Sequence, residues 1–464
     1  MPGRRFQLLI VLLIAGCSYL PFSSTSTKSA PAAVQEDEET RISRQFRREA
    51  RRQLNLLNNP EIESYVDHVG RRILSVMGPL DFEYRFFVIG DPQLNAFSVP
   101  GGSIYVYTGL MERAKSTDEI AGVMGHEIIH AKNHHMQRMS GPDPLALLGL
   151  LGMILARGGA AGQAAGAVGQ ALSATRQFAF SRGLELESDT LGTKYMAQAG
   201  YDPRGALSFM KTLDQQRALS QTDVPAYLLT HPVTQERIAN IELIMRSLPG
   251  QHSRPEGVDP LRRIQVLISL DKQAEGGLVA AYEKVVAAEP DNAAARQFLA
   301  LGQQAQGKLN PARGNYEKAR SLDPRLPGID RDLGRLYGQM GDFKLAHEAF
   351  DRALKADSRE ALNYLFLGEL FERENNLQAA AGAYLNASNL APLSAVVFNR
   401  LGLAYGRLNR QGEGYYYLGR SMLLMDDDEK AVADYERAIK ILGPKSARAQ
   451  VIREEMEAVK GRRR

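Results

Sequence analysis

The sequence predicts a mainly α-helical protein: helices with a small β-sheet over residues 40–248, then an α-solenoid over residues 262–464. Three observations predict it. Apolar residues recur at helical spacing through most of the chain. Only Tyr84–Ile89 and Ser103–Thr108 carry the aromatic and β-branched density of strands. From about residue 262 the sequence repeats every 34 residues, as stacked helix–turn–helix units do.

Composition narrows the classes. Apolar residues are 44% and charged residues 24%, which excludes collagen-like, fully disordered and polytopic membrane chains. A net charge of +4 is too weak for dedicated nucleic-acid binding. The single cysteine, Cys17, excludes intrachain disulfides and thiolate metal clusters, so a metal site must use His, Asp or Glu.

Residues 1–16 read as an address. Arg4 and Arg5 precede an apolar run from Phe6 to Ile14, and the small pair Ala15-Gly16 precedes Cys17. This is signal-peptide grammar, too short for a spanning helix. The segment resembles the lipobox of bacterial lipoproteins. That resemblance implies a lipid-modified Cys17 as mature N-terminus and, with Ser18 following, sorting to the outer membrane. Residues 17–39 are rich in Ser, Thr, Ala and acid and read as a flexible tether.

Residues 40–78 read as helical. Ile42, Phe46 and Ala50 make one apolar face; Arg44, Arg47, Arg48, Arg51 and Arg52 make the other, read as solvated. A second helix is expected from Pro60 to Met77. After the two strands, Ser116 and Glu119 have capping-box spacing and open a long helix. Further helices are expected over 168–199, 203–219 and 234–247. The apolar stretch 145–155 is too short to span a bilayer and reads as a lid, a membrane-touching plug or a buried helix. Residues 249–261 hold Pro and Gly without apolar periodicity and read as a linker.

In the repeating part, Pro290, Pro324, Ser358 and Pro392 stand 34 residues apart, as do Gly334, Gly368 and Gly402. Ala346 and Ala380, and Phe350 and Tyr384, keep the same period. The pattern resembles the tetratricopeptide repeat, in which small residues let two helices approach and aromatics fill the gap between them. The last unit degenerates, with Gly414, Leu418 and Asp426 at the alanine, aromatic and proline positions. Residues 427–460 read as closing helices, and Arg462–Arg464 as a solvated end.

Four of the eight histidines lie between His126 and His135. His126-Glu127-Ile128-Ile129-His130 is an H-E-x-x-H motif inside the helix opened at Ser116. Positions i and i+4 share a helix face, so both imidazoles reach one ion, and Glu127 is placed to take a proton from water activated there. A third ligand is needed. Glu185 and Asp189 have i, i+4 spacing on a downstream helix; one carboxylate would bind zinc and the other hold a zinc-bound imidazole in its tautomer.

Four segments together resemble the zinc metallopeptidases typified by HtpX and the CAAX prenyl proteases. They are Asn95-Ala96-Phe97 with Pro100-Gly101-Gly102, the His126–His130 motif, Glu185 and Asp189 with Gly192, and His231-Pro232 with Arg237. The resemblance implies a zincin-like domain over residues 40–248 with one Zn2+ per chain. His126, His130 and Glu185 would be ligands and Glu127 the base, with Asp189 and Arg237 behind them. It also puts His231 near the metal, either donating to the oxyanion or filling the open coordination position. His134, four residues past His130, is disfavoured as a ligand because a fourth would close the site. Substrate is expected to add as a strand to an exposed edge of Ser103–Thr108.

The expectation from these readings is a periplasmic zinc endopeptidase held at the outer membrane by Cys17. It would degrade misfolded or stalled envelope proteins, with its repeats docking clients or the outer-membrane assembly machinery. The alternative is an assembly chaperone or scaffold acting mainly through the repeats. No nucleic-acid partner is expected.

Overall fold

The computed structural model describes residues 37–140, 181–219, 225–248, 258–272 and 275–461. The leader 1–16, Cys17 with the tether to residue 36, the 145–155 segment, residues 168–180, residues 249–257 of the linker and Arg462–Arg464 lie outside the described residues.

The first helix, α1 (Glu38–Gln53), starts behind Asp37, whose Oδ1 accepts the Thr40 N–H at 2.8 Å. A break at residues 54–59 separates it from α2 (Pro60–Leu74), where Asn59 caps and Pro60 opens the first turn. The sheet has three strands, β1 (Arg85–Ile89), β2 (Ala96–Val99) and β3 (Ser103–Tyr107), in the order β1-β3-β2. β3 runs parallel to β1 and antiparallel to β2. The sequence reading had neither β2 nor this order. β3 is therefore central and paired on both sides, which overturns the expectation that Ser103–Thr108 offers a free edge.

The sheet is the middle layer of three. Val88, Ala96, Ile104 and Val106 face a core shared with α2 and α4 (Thr117–Lys132). The alternate residues Ile89, Phe97, Val99, Tyr105 and Tyr107 pack with Ile42, Phe46 and Ala50 of α1. With both faces covered, every residue of β3 is buried. Between β3 and α4 lies α3 (Thr108–Arg113), and α5 (His135–Ser140) follows α4. After the break in the described residues come α6 (Arg182–Gln198), α7 (Arg204–Leu219), α8 (Ala226–Thr230) and α9 (Gln235–Ser247). The expected 168–199 helix begins, as described, at Arg182 behind the Ser181 cap.

The rest is helical. In order come α10 (Pro260–Asp271), α11 (Glu275–Ala288), α12 (Ala293–Ala305), α13 (Leu309–Leu322), α14 (Ile329–Met340) and α15 (Phe343–Ala356). Then follow α16 (Ala361–Arg373), α17 (Leu377–Leu390), α18 (Ala395–Arg407), α19 (Gln411–Leu424), α20 (Asp428–Leu442) and α21 (Ala447–Gly461). Gly334 lies against the Phe350 ring and Gly368 against Tyr384, the small-against-aromatic contact that gives the repeat its period.

The repeats are fastened to the first domain at both ends. Leu261, Ile264, Leu267 and Ile268 of α10 are buried in the core of the sheet domain. The Asp259 carboxylate caps two helices at once, accepting the Leu261 N–H of α10 and the Thr117 N–H of α4, each at 2.9 Å. Nearby, Glu61 of α2 accepts from Arg263 at 2.7 Å and from Arg331 and Arg335 at 2.9 Å each. Burial works against the Glu61 charge, but the three guanidiniums outweigh it and hold the carboxyl well below its ordinary range.

The other end overturns a second expectation. Most of the arginine face of α1 is not solvated: Arg44 and Arg47 are 7% and 6% exposed, Arg48 and Arg51 are half-buried, and only Arg52 stands in solvent as expected. Arg47 donates to both Asp426 oxygens, at 2.8 and 2.6 Å. Arg48 donates to the Asp426 carbonyl at 2.6 Å, and Arg44 reaches Asp428 at 3.3 Å. The degenerate end of the last repeat supplies the counter-charges, and Asp426 holds a left-handed backbone (φ 58°) to present them.

Candidate metal centre

Helix α4 carries the H-E-x-x-H motif through the interior. Ser116 caps it, its Oγ accepting the Glu119 N–H at 3.3 Å, while Glu119 accepts the Lys115 N–H at 2.8 Å. Every residue from Glu119 to Ala131 is buried, as in a helix packed on all sides. α6 crosses it at Gly125 and Gly192, where a Cβ on Gly192 would stand 2.9 Å from the His126 nitrogen. That close approach brings Glu185 and Asp189 to the two histidines.

Four side chains converge. His126 Nε2 and His130 Nε2 are 2.9 Å apart. Glu185 Oε1 lies 3.2 Å from His130 Nε2 and 2.9 Å from His231 Nδ1. His231 Nδ1 lies 3.3 Å from His126 Nε2. One donor atom from each of these residues falls within 4.8 Å of the others, and all four residues are buried. Glu127 stands beside them with both carboxylate oxygens buried and lacking a hydrogen bond; the nearest cationic group is His231 Nε2, 3.4 Å from Oε1. Clustered imidazole and carboxylate donors around an unsatisfied carboxylate fit a divalent cation, and nitrogen and oxygen donors of this kind suit zinc.

The surroundings set which ring nitrogens face the cluster. His126 Nδ1 is 2.9 Å from Asp189 Oδ1. A carboxylate only accepts, so Nδ1–H donates and Nε2 turns its lone pair inward. Arg237 grips Asp189 with two hydrogen bonds of 2.7 and 2.8 Å. It also donates to the Pro232 carbonyl at 2.9 Å and lies 2.5 Å from Glu185. One guanidinium thus ties α6 to the His231-Pro232 turn. Burial raises Asp189 and Glu185, but Arg237 on the first, and His231, His126 and Arg237 on the second, hold both carboxyls below their ordinary range. Burial pushes His130 well below its ordinary value despite Glu185. His231 is raised because Glu185 and Glu127 outweigh its burial.

Residues 57–244 match the family described as Peptidase family M48. This stretch is an M48 peptidase domain. Residues 332–360 match the tetratricopeptide repeat. The "Beta-barrel assembly-enhancing protease" of Escherichia coli K12 is 26% identical over 408 residues, covering 78% of this chain and 83% of that one. The "Putative beta-barrel assembly-enhancing protease" of Vibrio cholerae is 31% identical over 219 residues, 46% of this chain and 45% of its own. The "Mitochondrial metalloendopeptidase OMA1" of Schizosaccharomyces pombe is 28% identical over 248 residues, 52% of this chain and 72% of its own. The chain is a metalloprotease whose M48 domain is followed by helical repeats. Among the described residues no helix is long and apolar enough to cross a membrane.

Of the residues singled out from sequence, the M48 domain brings His126, Glu127, His130, Glu185, Asp189, His231 and Arg237 to one place. His134 is elsewhere. Helix α4 ends at Lys132 and His134 is left-handed (φ 52°), so neither His134 nor His135 continues the helix. His134 turns to Glu39, 2.9 Å away, and packs on Phe82.

The break swings His135 back behind the motif, a placement the sequence reading missed. His135 is fully buried, with Nδ1 3.1 Å from His130 Nδ1 and 3.3 Å from Ser188 Oγ. Glu187 Oε2 lies 3.3 Å from His135 Nε2. That carboxylate favours the proton on Nε2, leaving His135 Nδ1 to accept from His130 and directing His130 Nε2 into the cluster. The only sequence signal was Asn133, a residue that favours helix ends. Tyr227 was also missed: its ring stacks on His231 at 4.7 Å and its carbonyl accepts the His231 N–H at 2.9 Å.

Proposed function

We propose that this chain is a zinc-dependent metalloendopeptidase of the bacterial envelope that degrades misfolded or stalled periplasmic and outer-membrane proteins. The observation that carries the reading is the convergence of His126, His130 and Glu185 beside the buried Glu127 carboxylate, whose oxygens accept no hydrogen bond. His126 and His130, through Nε2, and Glu185 are the ligands in this reading. The zinc supplies a Lewis acid that polarises the scissile carbonyl and acidifies water. Glu127 takes the proton of the attacking water and delivers it to the leaving amine. Asp189 and His135 hold the two imidazoles in their tautomers, and Arg237 holds Asp189 and the His231 turn in place.

The envelope assignment rests on the exported leader 1–16, on Cys17 as lipid anchor and on relatives named for β-barrel assembly. The repeats supply client docking. Glu127→Gln tests the chemistry: the variant is expected to keep its metal and lose casein cleavage by several orders of magnitude. Substantial cleavage with zinc fully bound would end the reading and leave the chaperone alternative. Cys17→Ala tests the anchor, by release from the membrane fraction.

A further inference from the structure

The sheet has two edges, and they face different things. Ser98 and Val99 of β2 line a small recess with His130, on the catalytic side. β1 faces the repeats. Arg85 donates its N–H to the Gly102 carbonyl, and the parallel register with β3 makes Arg85, Phe87 and Ile89 the residues bonded inward. Phe86 and Val88 therefore turn their backbone groups outward. The chain before α2 uses part of that edge: Leu57 donates to the Val88 carbonyl at 2.9 Å before turning away at Asn59-Pro60. Among the described residues, the Phe86 N–H and C=O and the Val88 N–H have no backbone partner.

These groups border a cavity of about 260 Å3. Glu63 and Asp67 of α2 form one wall, and Ser394 and Asn399 at the start of α18 form the opposite one. Its end is continuous with the fastened interface, where Arg85 donates to the Leu424 carbonyl at 3.1 Å. Burial pushes Glu63 up to about 7 against the pull of Arg51, and on the same wall Asp67 pairs with Arg71 at 2.6 Å.

We propose that this slot is a second peptide-docking site, in which an extended segment of a client polypeptide adds as a strand to the outer edge of β1, with α18 as its opposite wall. Donors and acceptors two residues apart on one strand edge match the period of another strand and not that of a helix. The site reads main chain, with Ser394 and Asn399 as polar contacts from the repeats. A client would be held where the repeats meet the sheet, while the catalytic side works at the other edge. The inference goes beyond cleavage and rests on the protease reading only for the kind of client.

The test uses the full chain carrying Glu127→Gln, so that binding is measured whether or not the parent cleaves. The probe is fluorescein-labelled, reduced and carboxymethylated α-lactalbumin, which stays unfolded. A photo-crosslinking p-benzoylphenylalanine replaces Asn399 in one sample and the exposed Arg325 in another. Crosslinking to the probe is expected at 399 and not at 325, and unlabelled probe should compete it away. Ala395→Arg, which places a long side chain at the α18 wall, should weaken probe binding by about tenfold. No crosslink at 399, equal crosslinks at both positions, or a crosslink only to a second copy of the chain would each overturn the proposal. The crosslinking result stands even if Ala395→Arg fails to fold.

Discussion

Arg47 and Asp426, 379 positions apart, form a buried bidentate ion pair between the first helix and the last repeat. Arg47 also donates to the hydroxyls of Ser43 and Ser103, each at 3.1 Å, so the pair reaches the first residue of β3. The repeat array is thereby fixed to the central strand of the M48 sheet, as well as to the catalytic helix through Asp259.

Removing one partner leaves a buried charge uncompensated, which costs about 3–5 kcal/mol. Asp426→Asn isolates that effect, because Asn tolerates the left-handed backbone that Asp426 holds. The variant is expected to unfold at clearly lower urea concentration. Removing the unpaired charge as well, with Arg47→Met added to Asp426→Asn, should recover part of the loss. Equal midpoints for Asp426→Asn and the parent would mean that the pair contributes nothing to holding the domains together.

The same pair shows where sequence reading stops. The H-E-x-x-H motif and the 34-residue period were legible because one helix face and one packing contact impose fixed local spacings. Glu185, Asp189 and Arg237 were legible through family resemblance, though spacing alone left the carboxylate roles open. An arginine-rich face reads as solvated when its counter-ions lie hundreds of positions away. β2 is four residues long, Ala96–Val99, with Pro100 directly after it, too short to announce itself. Without β2, nothing in the sequence marks β3 as central. His135 sits five positions after His130, off the helix face that carries the metal donors, so no periodicity leads to it.

Glu61 makes the second interdomain cluster sensitive to acid. Its carboxyl is depressed in the folded chain by Arg263, Arg331 and Arg335 against its burial. The unfolded chain takes up that proton near the ordinary glutamate value of about 4.3. Below that value the unfolded state binds more protons, so the stability from Glu61 is fully present above it and is lost as pH falls toward the depressed folded value. The parent should lose stability steeply below about pH 4, and Glu61→Gln should flatten part of that slope while lowering stability at neutral pH. Superimposable slopes for the two proteins, measured by urea unfolding, would contradict this.

The proposed metal ligands carry different expectations from the residues behind them. Glu185→Ala removes a donor and should abolish tight zinc binding at one ion per chain. His135→Ala removes only the group facing His130 Nδ1, 3.1 Å away, and should weaken zinc about 10–100-fold. His135→Gln, which keeps an acceptor, should restore part of the affinity. Competition with a chromogenic chelator reads all three. Unchanged affinity in His135→Ala would reduce His135 to packing.

His231 is the side chain whose removal has two opposed consequences. Its Nδ1 belongs to the donor cluster, 3.3 Å from His126 Nε2, while its Nε2 points to Glu127. A catalytic zinc needs one open position for water, and an imidazole beside three other donors is placed to fill it. The ring is held there by Tyr227 stacking, and the following carbonyl by Arg237. If His231 fills that position, it restrains the enzyme at rest. His231→Ala is then expected to raise the basal cleavage of a short peptide at saturating zinc, and Tyr227→Ala to raise it less, by loosening the ring without deleting it. If His231 instead donates to the oxyanion, His231→Ala should lose about 10²–10³-fold in turnover. A loss of that size would reverse the assignment, and a rate equal to the parent's would remove both roles.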